Sequence, residues 1–212
     1  MRAKPGDELQ IWPPWAERAR LFIEALPVRA EEDLRAADYP GVDRVWLLAL
    51  FRSPRNGVGK AREDLRARGA TAGERVRFGS LELEPWELHA PKLLVDLTAA
   101  REEHEVDYVS RPCVLVRLPG RFSARGPGGA LHVRAGIVGE RAYQTSQGPV
   151  RVEVRADGAL LGDLTVPPTV PPAPGWRKLD LPVPPGDHLY EIAATSRDTD
   201  RPFCVAAWVS EG

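Results

Sequence analysis

The order of apolar and polar residues changes character halfway along the chain. Glu8 to Trp12 is a short extended segment behind the turn residues Pro5-Gly6-Asp7. Pro13 and Pro14 suit the first turn of a helix, where a missing N–H is an orphan anyway. From Trp15, apolar residues recur at Ala19, Phe22, Ile23 and Leu26, a helical spacing that Pro27 ends. Asp43 to Phe51 (DRVWLLALF) is a continuous apolar run and reads as a strand buried on both faces, of the parallel-sheet kind. Ser53 to Gly59 reads as a loop, Lys60 to Arg68 as a short helix stopped by Gly69, and Arg75 to Leu83 as a half-buried strand pair or one bent strand. Strand, helix, strand, helix, strand is a βαβ-type order.

After about residue 100 the helical spacing disappears. Short alternating runs between Gly/Pro turns replace it: Cys113–Leu118, Ala130–Ile137, Val150–Ala156, Leu160–Val166, Trp176–Leu181, His188–Ala194 and Phe203–Val209. Asp157-Gly158 between two of these runs is a two-residue hairpin signal. Pro167 to Pro174 is too dense in proline to sit inside a sheet. The expected fold class is therefore α+β. A small N-terminal α/β part of βαβ type occupies residues 1–104, and an all-β, jelly-roll-like sandwich occupies 105–212.

Composition narrows the function. The 212 residues include 43% hydrophobic and 28% charged side chains, ordinary for a chain that buries a core. The formal net charge is −1, which offers no global attraction for nucleic acid or an anionic surface. No stretch reaches the roughly 18–20 apolar residues that span a bilayer. The opening MRAKPGDELQIW has no apolar core of the signal-peptide kind, so work outside the cytoplasm would require an upstream region.

The motifs that imitate chemistry fail at the positions chemistry needs. Pro54 to Ala61 (PRNGVGKA) resembles a phosphate loop, but Pro54 replaces its first glycine and Ala61 its magnesium-binding hydroxyl. Gly126-Pro127-Gly128-Gly129 lies between strands, away from the strand-to-helix turn of a dinucleotide site. His89, His104, His132 and His188 form no HExxH or HxH pair. Triads assemble in space, so a Ser-His-Asp site is not excluded by chain order, but there is no G-x-S-x-G elbow. Asp157, Asp187, Asp198 and Asp200 read as turn-formers. No catalytic residue, metal site or cofactor is expected. Trp176, Tyr143 and Tyr190 are the candidate aromatic contacts for a sugar ring; Trp208, Trp12, Trp15 and Trp46 read as core. Cys113 and Cys204 bracket the β half. A disulfide between them would close a loop of about 90 residues and contribute about 4 kcal/mol; two buried free thiols fit the residues as well.

Several segments together resemble the soluble region that follows the membrane part of bacterial glycosyltransferases similar to protein O-mannosyltransferases. They are Gly6-Asp7-Glu8-Leu9-Gln10-Ile11-Trp12-Pro13-Pro14-Trp15, Asp43-Arg44-Val45-Trp46-Leu47-Leu48, Phe78-Gly79-Ser80-Leu81-Glu82-Leu83, and Pro112-Cys113 with Arg201-Pro202-Phe203-Cys204 and Gly175-Trp176 between them. The resemblance implies a non-catalytic, extracytoplasmic (periplasmic) accessory domain whose partner is glycan or the membrane-embedded part of the enzyme. It also implies a Cys113–Cys204 disulfide, since that compartment is oxidising. The alternatives are a stand-alone carboxylate-dependent hydrolase and a structural protein-interaction module, either of which could be cytoplasmic.

Overall fold

A computed structural model describes residues 4, 7–12, 28–29, 42–50, 58–88, 90–99, 102–106, 109–139, 148–168 and 175–212. The described chain is mostly strand, with long antiparallel sheets and one helix. It divides into two compact units, Met1–Lys92 and Leu93–Gly212. The division falls ahead of the one expected after residue 104.

Unit 1 is built on a mixed sheet of β1 (Glu8–Trp12), β2 (Val28–Arg29), β3 (Arg44–Leu50), β4 (Thr71–Ala72), β5 (Val76–Phe78) and β6 (Leu81–Glu87). The strand order is β2-β1-β3-β6-β4, with β5 also on β6. β1 runs parallel to β2 and β3, whereas β3 and β6 are antiparallel. The helix expected between Trp15 and Leu26 lies outside the described residues, so the βαβ-type reading of this part rests on the parallel pairing alone. The helix α1 (Val58–Ala67) starts two residues before the expected Lys60, taking Val58 and Gly59 from the expected loop. It ends as its glycine demands: Gly69 sits at φ +78°, and the Ala70 amide donates back to the Leu65 carbonyl at 3.0 Å. Ala61 and Leu65 of α1 pack with Val45, Leu47, Ala49 and Trp86, while Leu9, Ile11 and Trp46 form a second cluster. Side chains from β3 thus enter both clusters, which is why DRVWLLALF does not alternate.

Unit 2 contains β7 (Leu93–Asp96), β8 (Glu103–Val106), β9 (Val109–Pro112), β10 (Val114–Val116), β11 (Gly120–Ile137), β12 (Val150–Ala156), β13 (Ala159–Val166), β14 (Arg177–Thr195) and β15 (Phe203–Ser210). The main sheet has the order β10-β15-β11-β14-β12-β13 with β7 also on β15, and every pair in it is antiparallel. β8 and β9 form a separate hairpin. Asp157 and Gly158 turn β12 into β13 with φ of +50° and +82°, the two positive values a primed hairpin turn requires.

Two expected strand boundaries are corrected. Ala130–Ile137 is the second part of an 18-residue strand, and the two expected strands Trp176–Leu181 and His188–Ala194 belong to one 19-residue strand that begins at Arg177. β11 and β14 pair along nearly their whole lengths, with a register shift between Pro127 and Gly129. This irregular stretch divides the sheet. The first part of β11 and the end of β14 extend to β12 and β13; the remainder extends to β15, β10 and β7. Side chains from both parts meet in one core: Val152, Val154, Ile192 and Ala194 from one, Leu131, Val133, Val205 and Val209 from the other.

Glycine permits the close approach there. A Cβ on Gly128 would lie 1.7 Å from the Pro184 carbonyl oxygen, and one on Gly129, at φ +149°, would lie 2.4 Å from the Ser210 carbonyl oxygen. Neither neighbour is a flexible side-chain end. Gly128→Ala is expected to cost about 3 kcal/mol or more and to lower the melting temperature by roughly 10 °C. Gly59→Ala, where a Cβ meets nothing within 4 Å, should instead change stability by less than about 1 kcal/mol, in the stabilising direction. Thermal melts of the two variants beside the parent check both.

Candidate functional site

Strand parity builds the most chemically distinctive cluster of unit 2. On β11 and β15 the residues Leu131, Val133, Ala135, Phe203, Val205, Ala207 and Val209 enter the main core. The alternate residues His132, Arg134, Cys204, Ala206, Trp208 and Ser210 therefore share the opposite face. Register sets His132 opposite Asp180 of β14 on one side and Trp208 of β15 on the other.

The result is a hydrogen-bonded line across three strands. His132 Nδ1 lies 2.8 Å from Asp180 Oδ1, and His132 Nε2 lies 2.9 Å from Ser210 Oγ. Arg134 donates to the same Asp180 oxygen at 2.7 Å and to the Val133 carbonyl at 3.0 Å. Its guanidinium also lies 5.1 Å from the Trp208 ring centroid. Arg134 is 0% exposed, His132 5% and Ser210 1%.

A carboxylate, an imidazole and a serine hydroxyl in this order have the connectivity of an acyl-transfer triad. Two proton arrangements fit the same heavy atoms. In one, Ser210 donates to a neutral His132. In the other, His132 donates to Ser210, whose hydroxyl donates to the Glu211 carbonyl 3.1 Å away. Only the first can generate a nucleophile, and it also needs space at Oγ for an acyl carbon. Ser210 is inside the protein, so its Oγ does not face solvent. In the structure as it stands, the line ties β11, β14 and β15 together and neutralises a buried guanidinium.

Next along the same face lie Val106, Cys113, Trp176, Cys204, Ala206 and Trp208, packed as one cluster. Cys113 and Cys204 are joined as a disulfide with Cα atoms 5.8 Å apart. Trp176 is 6% exposed, and the Arg111 guanidinium lies 5.9 Å from its ring centroid. Tyr190 is 1% exposed and belongs to the main core. Its hydroxyl donates to the Pro127 carbonyl at 2.7 Å, and burial pushes its pKa up. Tyr143 lies outside the described residues. Of the two described candidate aromatics neither stands on an open face: Trp176 packs beside the disulfide, and Tyr190 braces the irregular stretch of β11. Chain order gave no sign of the His132 line, because its members stand 48 and 78 residues apart and only register joins them.

Among the described residues of unit 1, buried carboxylates meet arginines in two places. Asp7 accepts from Arg44 and from the Trp46 indole N–H at 2.8 Å. Glu82 and Glu84, each 3% exposed, share Arg62 and Arg75, and Arg77 joins Glu82. Burial acts to raise the Glu84 pKa, but hydrogen bonds from Arg62 and Arg75 outweigh it and hold the carboxyl below its ordinary value. A general acid needs the opposite shift. Among the described residues, no group of three or more His, Cys, Asp or Glu is placed to hold a metal ion, and no helix is long and apolar enough to cross a membrane.

No protein-family model matches the sequence, and a search of curated proteins finds no match. Several solved structures are similar in part. An uncharacterized protein of Listeria monocytogenes EGD-e, solved with glucose, magnesium and calcium, is 11% identical with a TM-score of 0.36, over 80% of this chain and 18% of that one. The Cry4Aa toxin of Bacillus thuringiensis is 6% identical with a TM-score of 0.33, over 68% of this chain and 30% of the toxin. A family 43 arabinoxylan arabinofuranohydrolase of Bacillus subtilis, solved with cellotetraose, is 13% identical with a TM-score of 0.28, over 79% and 40%. This chain spans less than half of each, and likeness at this level carries no argument about function.

The charge balance of the His132 line is testable by denaturant unfolding. Asp180→Ala removes the carboxylate facing a fully buried Arg134, and is expected to cost about 2–3 kcal/mol, less than a fully buried pair because Asp180 is 27% exposed. Ser210→Ala removes only one neutral hydroxyl and should cost about 1 kcal/mol.

Proposed function

We propose that this chain is a non-catalytic accessory module of a membrane glycosyltransferase system, working outside the cytoplasm and contacting glycan or acceptor. In this reading unit 1 is a small βαβ-type domain and the antiparallel sheet of unit 2 is a jelly-roll-like sandwich.

The observation that carries it is the place of the residues that bear the family resemblance. Asp7, Arg44 and Trp46 close on one another as a clasp between β1 and β3. Cys113, Cys204 and Trp176 share one buried cluster. Residues in such positions brace a scaffold, which supports a structural role for the segments that carry the resemblance. The disulfide supports the compartment, because such a bond persists where thiols are not kept reduced. A hydrolase reading would draw on the Ser210–His132–Asp180 line, and it requires that line to open.

The test uses the whole chain made in an oxidising compartment. Alkylation under denaturing conditions should spare both cysteines until reductant is added. Reduction should cost about 4–5 kcal/mol, the chain-entropy value for a separation of 91 residues. The oxidised protein should then retain glycans or lipid-linked sugars on an immobilised panel, whereas Trp176→Ala should lower stability by about 3 kcal/mol and leave the affinity of the folded protein unchanged. Free thiols would remove the compartment argument. Absence of glycan retention would overturn the contact, and an esterase activity lost in Ser210→Ala would overturn the non-catalytic reading.

A further inference from the structure

The irregular stretch of unit 2 carries a second histidine cluster that the proposed function does not use. His188 lies on β14 beside Pro184 and Gly186, opposite Gly126 of β11. Its Nδ1 is 2.7 Å from Asp157 Oδ2, and its Nε2 is 2.9 Å from the Pro184 carbonyl oxygen. A carboxylate and a carbonyl can only accept. A neutral imidazole has one N–H and can serve one of them; serving both requires the imidazolium. Asp157, in turn, accepts from the Leu189 amide with its other oxygen at 2.9 Å, and its own amide donates to the Leu189 carbonyl at 2.9 Å.

We propose that His188 is a proton-operated latch, fastening the β12–β13 turn to the irregular stretch of β14 while the ring carries both protons and releasing the Pro184 side when one is lost. The feature latched is the stretch where Gly128 and Pro184 pass within backbone contact, and where Tyr190 donates to Pro127. Loss of one proton therefore loosens the place on which the pairing of β11 and β14 depends. The inference does not rest on the glycan reading.

The groups around the ring favour the charged form. Asp157 faces it from the hairpin turn and Asp187 precedes it on β14. Arg125 of β11 acts on Asp157. The Tyr190 ring, neutral at ordinary pH, stands 6.0 Å away. The hydrogen bond to Asp157, then that to Pro184, raises the His188 pKa above its ordinary 6.5. The Leu189 amide, then His188, lowers that of Asp157 below its ordinary 3.8. For His188, a raised folded value means the contribution is fully present below 6.5 and lost as pH climbs through the folded value. For Asp157, a lowered folded value means the contribution is present above 3.8 and lost as pH falls through the folded value. The latch is therefore closed below the folded value of His188 and opens as pH climbs through it; protonation of Asp157 at low pH removes the charge that favours the imidazolium but not the ring's two protons.

The experiment is an NMR pH titration of the whole chain, following the His188 ring and the amides of Leu189 and Gly128. Asp157→Asn is the comparison. Asn-Gly is a preferred primed-turn pair and tolerates positive φ, so the turn survives and the Leu189 amide keeps an acceptor, while the oxygen that faces His188 Nδ1 is replaced by an NH2 donor and the charge that favours the imidazolium is removed. The expected result is a His188 midpoint above 6.5 in the parent, shared by the Leu189 and Gly128 amides, and moved down toward 6.5 in Asp157→Asn. A parent midpoint at or below 6.5, or amides that do not follow the ring, would overturn the latch. Since the parent titration decides this alone, the result stands even if the variant folds poorly.

Discussion

The backbone of Gly128 passes the carbonyl of Pro184 with no room for a single extra carbon, and unit 2 depends on that passage. It lets two long antiparallel strands stay paired through an irregular register instead of ending there. Because they stay paired, the apolar residues on either side of the passage meet in one core. The core fixes which residues of β11 and β15 face inward, and hence which polar residues share the opposite face. His132, Asp180, Arg134 and Ser210 meet because the hydrophobic residues between them are committed elsewhere. The polar line is a consequence of the core's parity, and its connectivity is no sign by itself of selection for catalysis.

Those parts of the fold governed by local rules were legible in the chain. DRVWLLALF reads as a doubly buried strand, and its described part β3 sends side chains into two apolar clusters. Gly69 ends its helix, Val150–Ala156 has the bounds its alternation gives, and Asp157-Gly158 turns as a primed pair. The long strands were not legible, because Gly126-Pro127-Gly128-Gly129 and Pro182 to Gly186 carry the residues that normally end a strand. Composition signals a break; only the partner strand shows that pairing resumes beyond it. Trp176 illustrates the same limit. Pro174-Gly175 leaves it open to either solvent or core; it packs in the core beside the disulfide, whose Cys204 lies 28 residues further along the chain. The His132 line was illegible because its members come from three strands whose register no local pattern states.

Both units place carboxylates against guanidinium groups inside the protein. Asp7 meets Arg44, Glu82 and Glu84 share Arg62 and Arg75, and Asp180 meets Arg134. Well-packed apolar residues could often replace such pairs without loss of stability. What the pairs add is intolerance of misregister. A one-residue slip of β6 would turn Glu82 and Glu84 away from their arginines and bring Leu81 and Leu83 under α1. A slip of β14 would leave Arg134 facing Leu179 or Leu181 instead of Asp180.

The disulfide gives unit 2 a property of another kind. Cys113 and Cys204 stand 91 residues apart, and β11 to β14 all lie between them. A pull transmitted along the chain would therefore cross the bond and bypass that loop. At about 3.4 Å per extended residue, roughly 300 Å of chain is withheld from extension. Under tension the loop would behave as a fixed link a few ångströms long, and its strands could come apart without lengthening the molecule through the loop.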